Sequence, residues 1–216
     1  MLPGRPVAMG LFLRPDMISG IVLAAGSSER MGRQKLLLDL AGKPVLRWVL
    51  EAALASQLDE IVCVARELNI REEISLKHGK LRWTVNERAA EGQSTSIIAG
   101  LRAISPRSEA ALFIVGDQPL LDPELINGLI DLFRKRSSLI VAPTFKGRSR
   151  NPVLFHRDLI PELLKLSGDR GGRGLIDRFK EKAAFLEWND ETPFVDLDGW
   201  EDYEKIKRSH FSMTKS

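Results

Sequence analysis

Residues 18–35 read "ISGIVLAAGSSERMGRQK". The first half is a continuous apolar run of the kind found in strands with both faces covered. The second half holds small residues, serines and three basic side chains. Small residues directly after a strand let backbone N–H groups approach an anion, and glycine adopts the turn conformations such a loop requires. Gly26 and Gly32 bracket five residues, "SSERM". A Walker loop has four between its glycines and then Gly-Lys-Ser/Thr, and a dinucleotide loop has G-x-G-x-x-G, so neither common phosphate motif is present. Their physics survives all the same. Arg30 can grip phosphate oxygens in bidentate fashion and Lys35 can act as a compact point charge. The competing reading is a solvated basic loop.

The pattern outward from this loop fixes the fold class. "SGIVLAA" (19–25), "DEIVCVA" (59–65), "LRWTVN" (81–86), "AALFIVG" (110–116) and "SLIVAP" (138–143) read as strands. Between them, "KPVLRWVLEAALAS" puts Val45, Leu46, Val49, Leu50, Ala53 and Leu54 on one helical face, with Pro44 suited to its first turn. "STSIIAGLRAI" and "DPELINGLIDLFRK" are also helical, the second opened by Asp122 as N-cap and Pro123. Strand–helix alternation predicts a doubly wound three-layer α/β/α domain with a mostly parallel sheet, its functional loops at the carboxyl ends of the strands. After about residue 144 the rhythm weakens into a basic loop with a short strand, the glycine-rich "SGDRGGRG", and a final strand, turn and helix.

Length and composition agree with one large globular domain: 216 residues, 44% hydrophobic and 28% charged. With 32 basic against 29 acidic residues and no basic stripe, a nucleic-acid reader is not expected. The opening apolar stretch "AMGLFL" is closed by Arg14 and Pro15, which fits neither a signal peptide nor a membrane span. Residues 1–17 therefore read as a dispensable extension before a single domain over 18–216, in a cytoplasmic protein. Cys63, the only cysteine, lies in an apolar run and reads as a small buried hydrophobe.

Candidate chemistry sits at the ends of these elements. Asp117 follows the run "ALFIV" and suits a magnesium ion, which takes hard oxygen ligands and is satisfied by one or two carboxylates plus substrate phosphates; a capping aspartate is the alternative. Asp196 and Asp198 in "FVDLDG" fall on one face if that stretch is extended, with Leu197 opposite, and such a pair attracts a cation. A turn with a cap for the last helix is the alternative. Gln93, Ser94 and Ser96 open a helix, where hydroxyls and free N–H groups meet a base or phosphate, or where Ser94 simply caps. Asn151 follows Lys146, Arg148 and Arg150, and Arg170 and Arg173 stand among glycines. Such loops suit an anionic acceptor with amide-like edges, or plain solvent. His78, His156 and His210 are dispersed and receive no role.

"LAAGSSERMGRQKLLLDLAGKPVL" resembles the L-A-(A/G)-G-x-S-x-R-M-G-x-x-K signature of nucleotidyltransferases that activate molybdenum cofactor and related metabolites. "EGQSTSIIAGL" (91–101), "VGDQPLL" (115–121), "RNPVLF" (150–155), "GDRGGRGLI" (168–176) and "DLDGWEDYEKI" (196–206) continue the likeness in order. Together they resemble the molybdenum cofactor cytidylyltransferases of the MobA-like superfamily. Gly199-Trp200, where Thr-Pro is common, and Gly172, where alanine is common, depart from the pattern without removing a charge. The resemblance implies the Rossmann-like nucleotidyltransferase fold and transfer of CMP from CTP to the terminal phosphate of molybdopterin cofactor, with pyrophosphate released. It implies catalytic roles for Arg30, Lys35 and Asp117, and nucleotide contacts from Leu23, Ala24, Ala25, Gly26, Ser27, Ser28, Arg30, Lys35, Gln93, Ser94 and Ser96. It also implies Mg2+ on Asp117, Asp198 and Asp196, with acceptor contacts from Asn151, Gly168, Asp169 and Arg170. Ala24-Ala25 favours CTP, because the guanylyl branch tends to have Ala-Gly there. GTP, a methylerythritol or sugar phosphate acceptor, and a non-catalytic carrier remain alternatives. A molybdenum hydroxylase apoenzyme or its chaperone is the protein partner the resemblance suggests.

Overall fold

The computed structural model describes residues 17–26, 34–169 and 171–211. Its strands are β1 (Met17–Ala24), β2 (Asp39–Leu40), β3 (Lys43–Pro44), β4 (Glu60–Ala65), β5 (Leu81–Val85), β6 (Ser108–Val115), β7 (Ile140–Phe145), β8 (Arg148–Ser149), β9 (Val153–His156) and β10 (Ala183–Glu187). Its helices are α1 (Val45–Ala55), α2 (Asn69–Ile74), α3 (Gln93–Ala103), α4 (Pro123–Arg136), α5 (Ile160–Leu163), α6 (Arg173–Arg178) and α7 (Trp200–His210). The sheet runs β10-β7-β9-β6-β1-β4-β5, with β8 paired to β7 and β2–β3 forming a separate ribbon. β9 alone on that path is antiparallel to both its neighbours, β6 and β7. Met17, read from sequence as extension, is the first residue of β1.

Strand alternation divides the core in two. Ile61, Cys63 and Ala65 of β4 join Ala110, Leu112 and Ile114 of β6 beneath α1, α4 and α7. Val62, Val64, Ala111 and Phe113 face the other way, against α3, α5 and α6. Helices on both faces explain why the strands read as unbroken apolar runs. Cys63 is fully buried, which pushes its thiol up and leaves it inert, as expected of a core residue. α1 buries Val45, Leu46, Val49, Leu50 and Ala53, as its period requires, although Pro44 stands at the N-cap and not inside the first turn. Asp122 caps α4 through its carboxylate, which accepts from Glu124 N at 2.8 Å.

The two ends of the sheet differ in character. At the amino ends of β1, β4 and β6, Glu60 accepts from Ser19 Oγ at 2.6 Å and Ser105 N at 2.6 Å, and pairs with Arg82. Burial alone would raise its carboxyl; these donors outweigh it and hold the group below its ordinary value. That end is a structural clasp. At the carboxyl ends, strand order reverses between β4–β1 and β1–β6, where open α/β sheets place ligands.

Candidate active site

Two contiguous clefts open at that reversal point. The first, of about 450 Å³, is lined by Ala25 and Gly26 after β1, Lys35, Gln93 and Ser96 at the start of α3, and Asp117 after β6. Gly116 brings the ends of β1 and β6 together. Its N–H donates to Leu23 O at 3.0 Å, and a Cβ there would stand 2.9 Å from the same oxygen. Asp117 O in turn accepts from Leu197 N at 2.9 Å. Asp117 is thereby held on one side by β1 and on the other by the 195–198 segment.

Lys35 opens a single 3-10 turn, Lys35–Leu37, that aims its side chain across the cleft mouth. Its Nζ lies 2.7 Å from Asp117 Oδ2 and 3.6 Å from Asp198 Oδ1. An ammonium thus occupies the place where both carboxylates share positive charge. Among the described residues, no group of three or more His, Cys, Asp or Glu converges as a metal cage. Two hard carboxylates without a full cage fit magnesium completed by substrate phosphates. Leu197 is fully buried between two exposed aspartates, as alternation predicts, but the stretch forms no strand. Asp196 is engaged by a neighbour of Asp117: its Oδ1 accepts from Gln118 Nε2 at 2.9 Å. The residue as a whole is exposed, yet its carboxyl sits deep enough that burial, and then the charge on Asp117, pushes it above its ordinary value.

At the opening of α3 the alternative reading of Ser94, as a simple cap, does not hold. Gly92 is the cap, at φ +114°, and a Cβ on it would come 2.5 Å from the Gly168 carbonyl carbon. Ser94 is buried, lies outside the first cleft, and donates its backbone N–H to Gly168 O at 3.1 Å. Gly168 therefore meets the helix start and does not line either cleft. Asn86 donates to Ser96 Oγ at 2.9 Å, so the hydroxyl proton of Ser96 is free to donate onward.

The second cleft, of about 420 Å³, shares Leu23, Gln93, Val115 and Asp169 with the first. Asn151 lines it, as does Asp169, so two of the expected acceptor residues meet there. Ala24 is packed inside the sheet. Ser27, Ser28, Arg30 and Arg170 lie outside the described residues. Arg66 and Gln118 are polar lining residues to which the sequence reading gave no role. Arg66, in the first cleft, follows the last residue of β4, a position the strand-end rule marks. Gln118 directly follows Asp117 but carries no charge to draw notice.

Residues 20–183 match the family described as the MobA-like NTP transferase domain. Purine catabolism protein PucB of Bacillus subtilis (strain 168) is 31% identical over 210 residues, covering 91% of this chain and 99% of that protein. A protein of Mycobacterium avium (strain 104) named as a molybdenum cofactor guanylyltransferase is 33% identical over 165 residues, 74% of this chain and 81% of its own. The crystal structure of Rv0371c from Mycobacterium tuberculosis H37Rv superposes with a TM-score of 0.79 at 26% identity, covering 90% of this chain and 99% of that one. Sheet order, the strand-end clefts and these likenesses agree: the chain belongs to the MobA-like NTP transferase family, a family of nucleotidyltransferases.

Proposed function

We propose that the protein transfers CMP from CTP to the terminal phosphate of molybdopterin cofactor and releases pyrophosphate. The observation that carries the reading is the Lys35–Asp117 pair, 2.7 Å apart, at the mouth of a cleft that continues into a second one. The first cleft takes the nucleotide and the second takes the acceptor. Ala25, buried beside the first cleft, supports the cytidine base over the guanine.

An acceptor phosphate oxygen attacks the α-phosphorus of CTP, and the bond to the α–β bridging oxygen breaks. The acceptor is ionised at neutral pH, so positioning and neutralisation replace a strong base. Lys35 places its charge toward the bridging oxygen and the departing pyrophosphate, with Arg30 assigned the same duty by the sequence resemblance. Asp117 and Asp198 would hold Mg2+, which when bound supplies neutralisation across the triphosphate oxygens. Ser96 donates from the start of α3, and Leu36, also lining the cleft, closes its apolar wall. Delivery of the product to a molybdenum hydroxylase or its chaperone completes the reading.

The guanylyltransferase relative favours a second reading, the same transfer from GTP. Pyrophosphate release, measured with each of CTP, GTP, ATP and UTP plus magnesium and molybdopterin cofactor, separates them. Fastest release is expected with CTP. Release with GTP alone would reverse the base assignment, and none with any nucleotide would leave a carrier.

A further inference from the structure

Two basic residues line the first cleft among the described residues, Lys35 and Arg66. Lys35 is taken up by Asp117 and Asp198. Arg66 is exposed and makes no hydrogen bond or ion pair among the described residues. Its place is set by the sheet. β1 lies between β4 and β6 and runs parallel to both. Ala24 pairs with Ala65 and Leu23 with Val115, so continuing the two registers brings Arg66, Ala25 and Asp117 level. With neighbouring strands about 4.8 Å apart, the backbones of Arg66 and Asp117 stand about 10 Å from each other across the cleft floor.

That separation sorts the parts of a nucleoside triphosphate. Its α-phosphorus lies where the clefts meet, at Leu23, Gln93, Val115 and Asp169, because the acceptor attacks from the second cleft. Its triphosphate goes to Lys35 and the carboxylates that fit a metal. The base is left with the β4 side, where Ala25, Ala89 and Ala90 give room for a flat ring and Arg66 supplies the charge. Arg66, Ala89 and Ala90 line the first cleft alone. A guanidinium only donates, through a planar fork that matches two adjacent acceptors. Cytosine presents such a pair in O2 and N3, and guanine in O6 and N7. Uracil sets an N–H between its two carbonyls, and adenine sets an amino group beside N1 and N7, so each meets the fork with a donor. Resting on the assignment of the first cleft to the nucleotide, we propose that Arg66 selects the base, accepting cytosine or guanine and rejecting uracil and adenine.

Calorimetric titration of the full chain with CTP, UTP, GTP, ATP and inorganic tripolyphosphate, each with magnesium, tests this. The wild-type chain is expected to bind CTP at least about tenfold more tightly than UTP, the worth of one bidentate contact to the right base. Arg66→Lys keeps the charge and loses the fork, so it is expected to bring that ratio near one. Tripolyphosphate, which has no base, is expected to bind both chains with the same affinity, which a merely structural defect would not allow. If GTP is the tighter ligand, the CTP reading falls by itself. The ratio of GTP to ATP is then the one that the variant must collapse, and its persistence overturns the role of Arg66. That role is equally overturned by a wild-type chain with no preference in either pair, by an unchanged ratio in Arg66→Lys, or by a loss of tripolyphosphate affinity equal to the loss for CTP. The wild-type comparison stands even if the variant fails to fold.

Discussion

Asp196 shows how one carboxylate can be legible as a residue and misleading in its partner. The sequence places it beside Asp198 on a shared face, and the structure keeps that alternation around the buried Leu197. Nothing in "DLD" distinguishes the two aspartates. Their roles diverge because Gln118, from a distant strand end, takes Asp196 while Lys35 lies toward Asp198. Burial and the neighbouring Asp117 raise the Asp196 carboxyl above its ordinary value of 3.8. The folded state then binds this proton more tightly than the unfolded chain, so stability falls as pH rises from that value through the raised one. Asp196→Asn keeps an oxygen for Gln118 and removes the charge. It should melt higher than wild type at neutral pH, with the advantage shrinking under acid; a lower melting point at neutral pH would contradict the raised value. Lys35 and Asp117 were legible because each stands at a motif whose chemistry demands charge. Gln118 was not, because a neutral amide acquires meaning only once its burial is known.

At the scale of elements, the five strands and three long helices read from periodicity are present. The short α2, α5 and α6 were not read, because none is long enough to show a period, and the other errors lie at element ends. β7 begins two residues later than "SLIVAP" suggests. α3 is capped by glycine and not by Ser94, the alternative the sequence left open, and the cause is tertiary: the loop carrying Gly168 packs so closely that only a residue without Cβ fits at Gly92. Local capping preference yields to that contact. Gly92→Ala should therefore cost about 1–3 kcal/mol, from the positive φ and the clash together. It should also raise KM for the acceptor by displacing the loop that leads to Asp169. Urea unfolding and steady-state kinetics would check both, and an unchanged midpoint would show that the contact is soft. The antiparallel β9 was visible only as a short run after a basic loop. Its direction depends on the long-range choice to pair between β6 and β7, which a single strand's residues do not encode.

At the scale of the whole molecule, the sheet has a sealed end and a working end. Glu60, two serines and Arg82 tie the amino ends of the strands together. The carboxyl ends stay open at the reversal of strand order, where β1 and β6 contribute Gly26 and Asp117 to one cleft. Alternating strands and helices made that polarity readable before any coordinates, since βαβ connections send each strand the same way. The pairing of two adjoining clefts was not readable, because the second is built from segments more than a hundred residues apart in sequence. No helix among the described residues is long and apolar enough to cross a membrane. The central claim is that positive charge on Lys35, held by Asp117, carries the transfer step. Its most direct test is single-turnover pyrophosphate release from CTP with magnesium and molybdopterin cofactor, comparing Lys35→Ala with the wild-type chain at matched thermal stability. A fall of at least about a hundredfold, of the size seen when one preorganised charge-stabilising group is lost, is expected; near-normal release from the folded variant would contradict it.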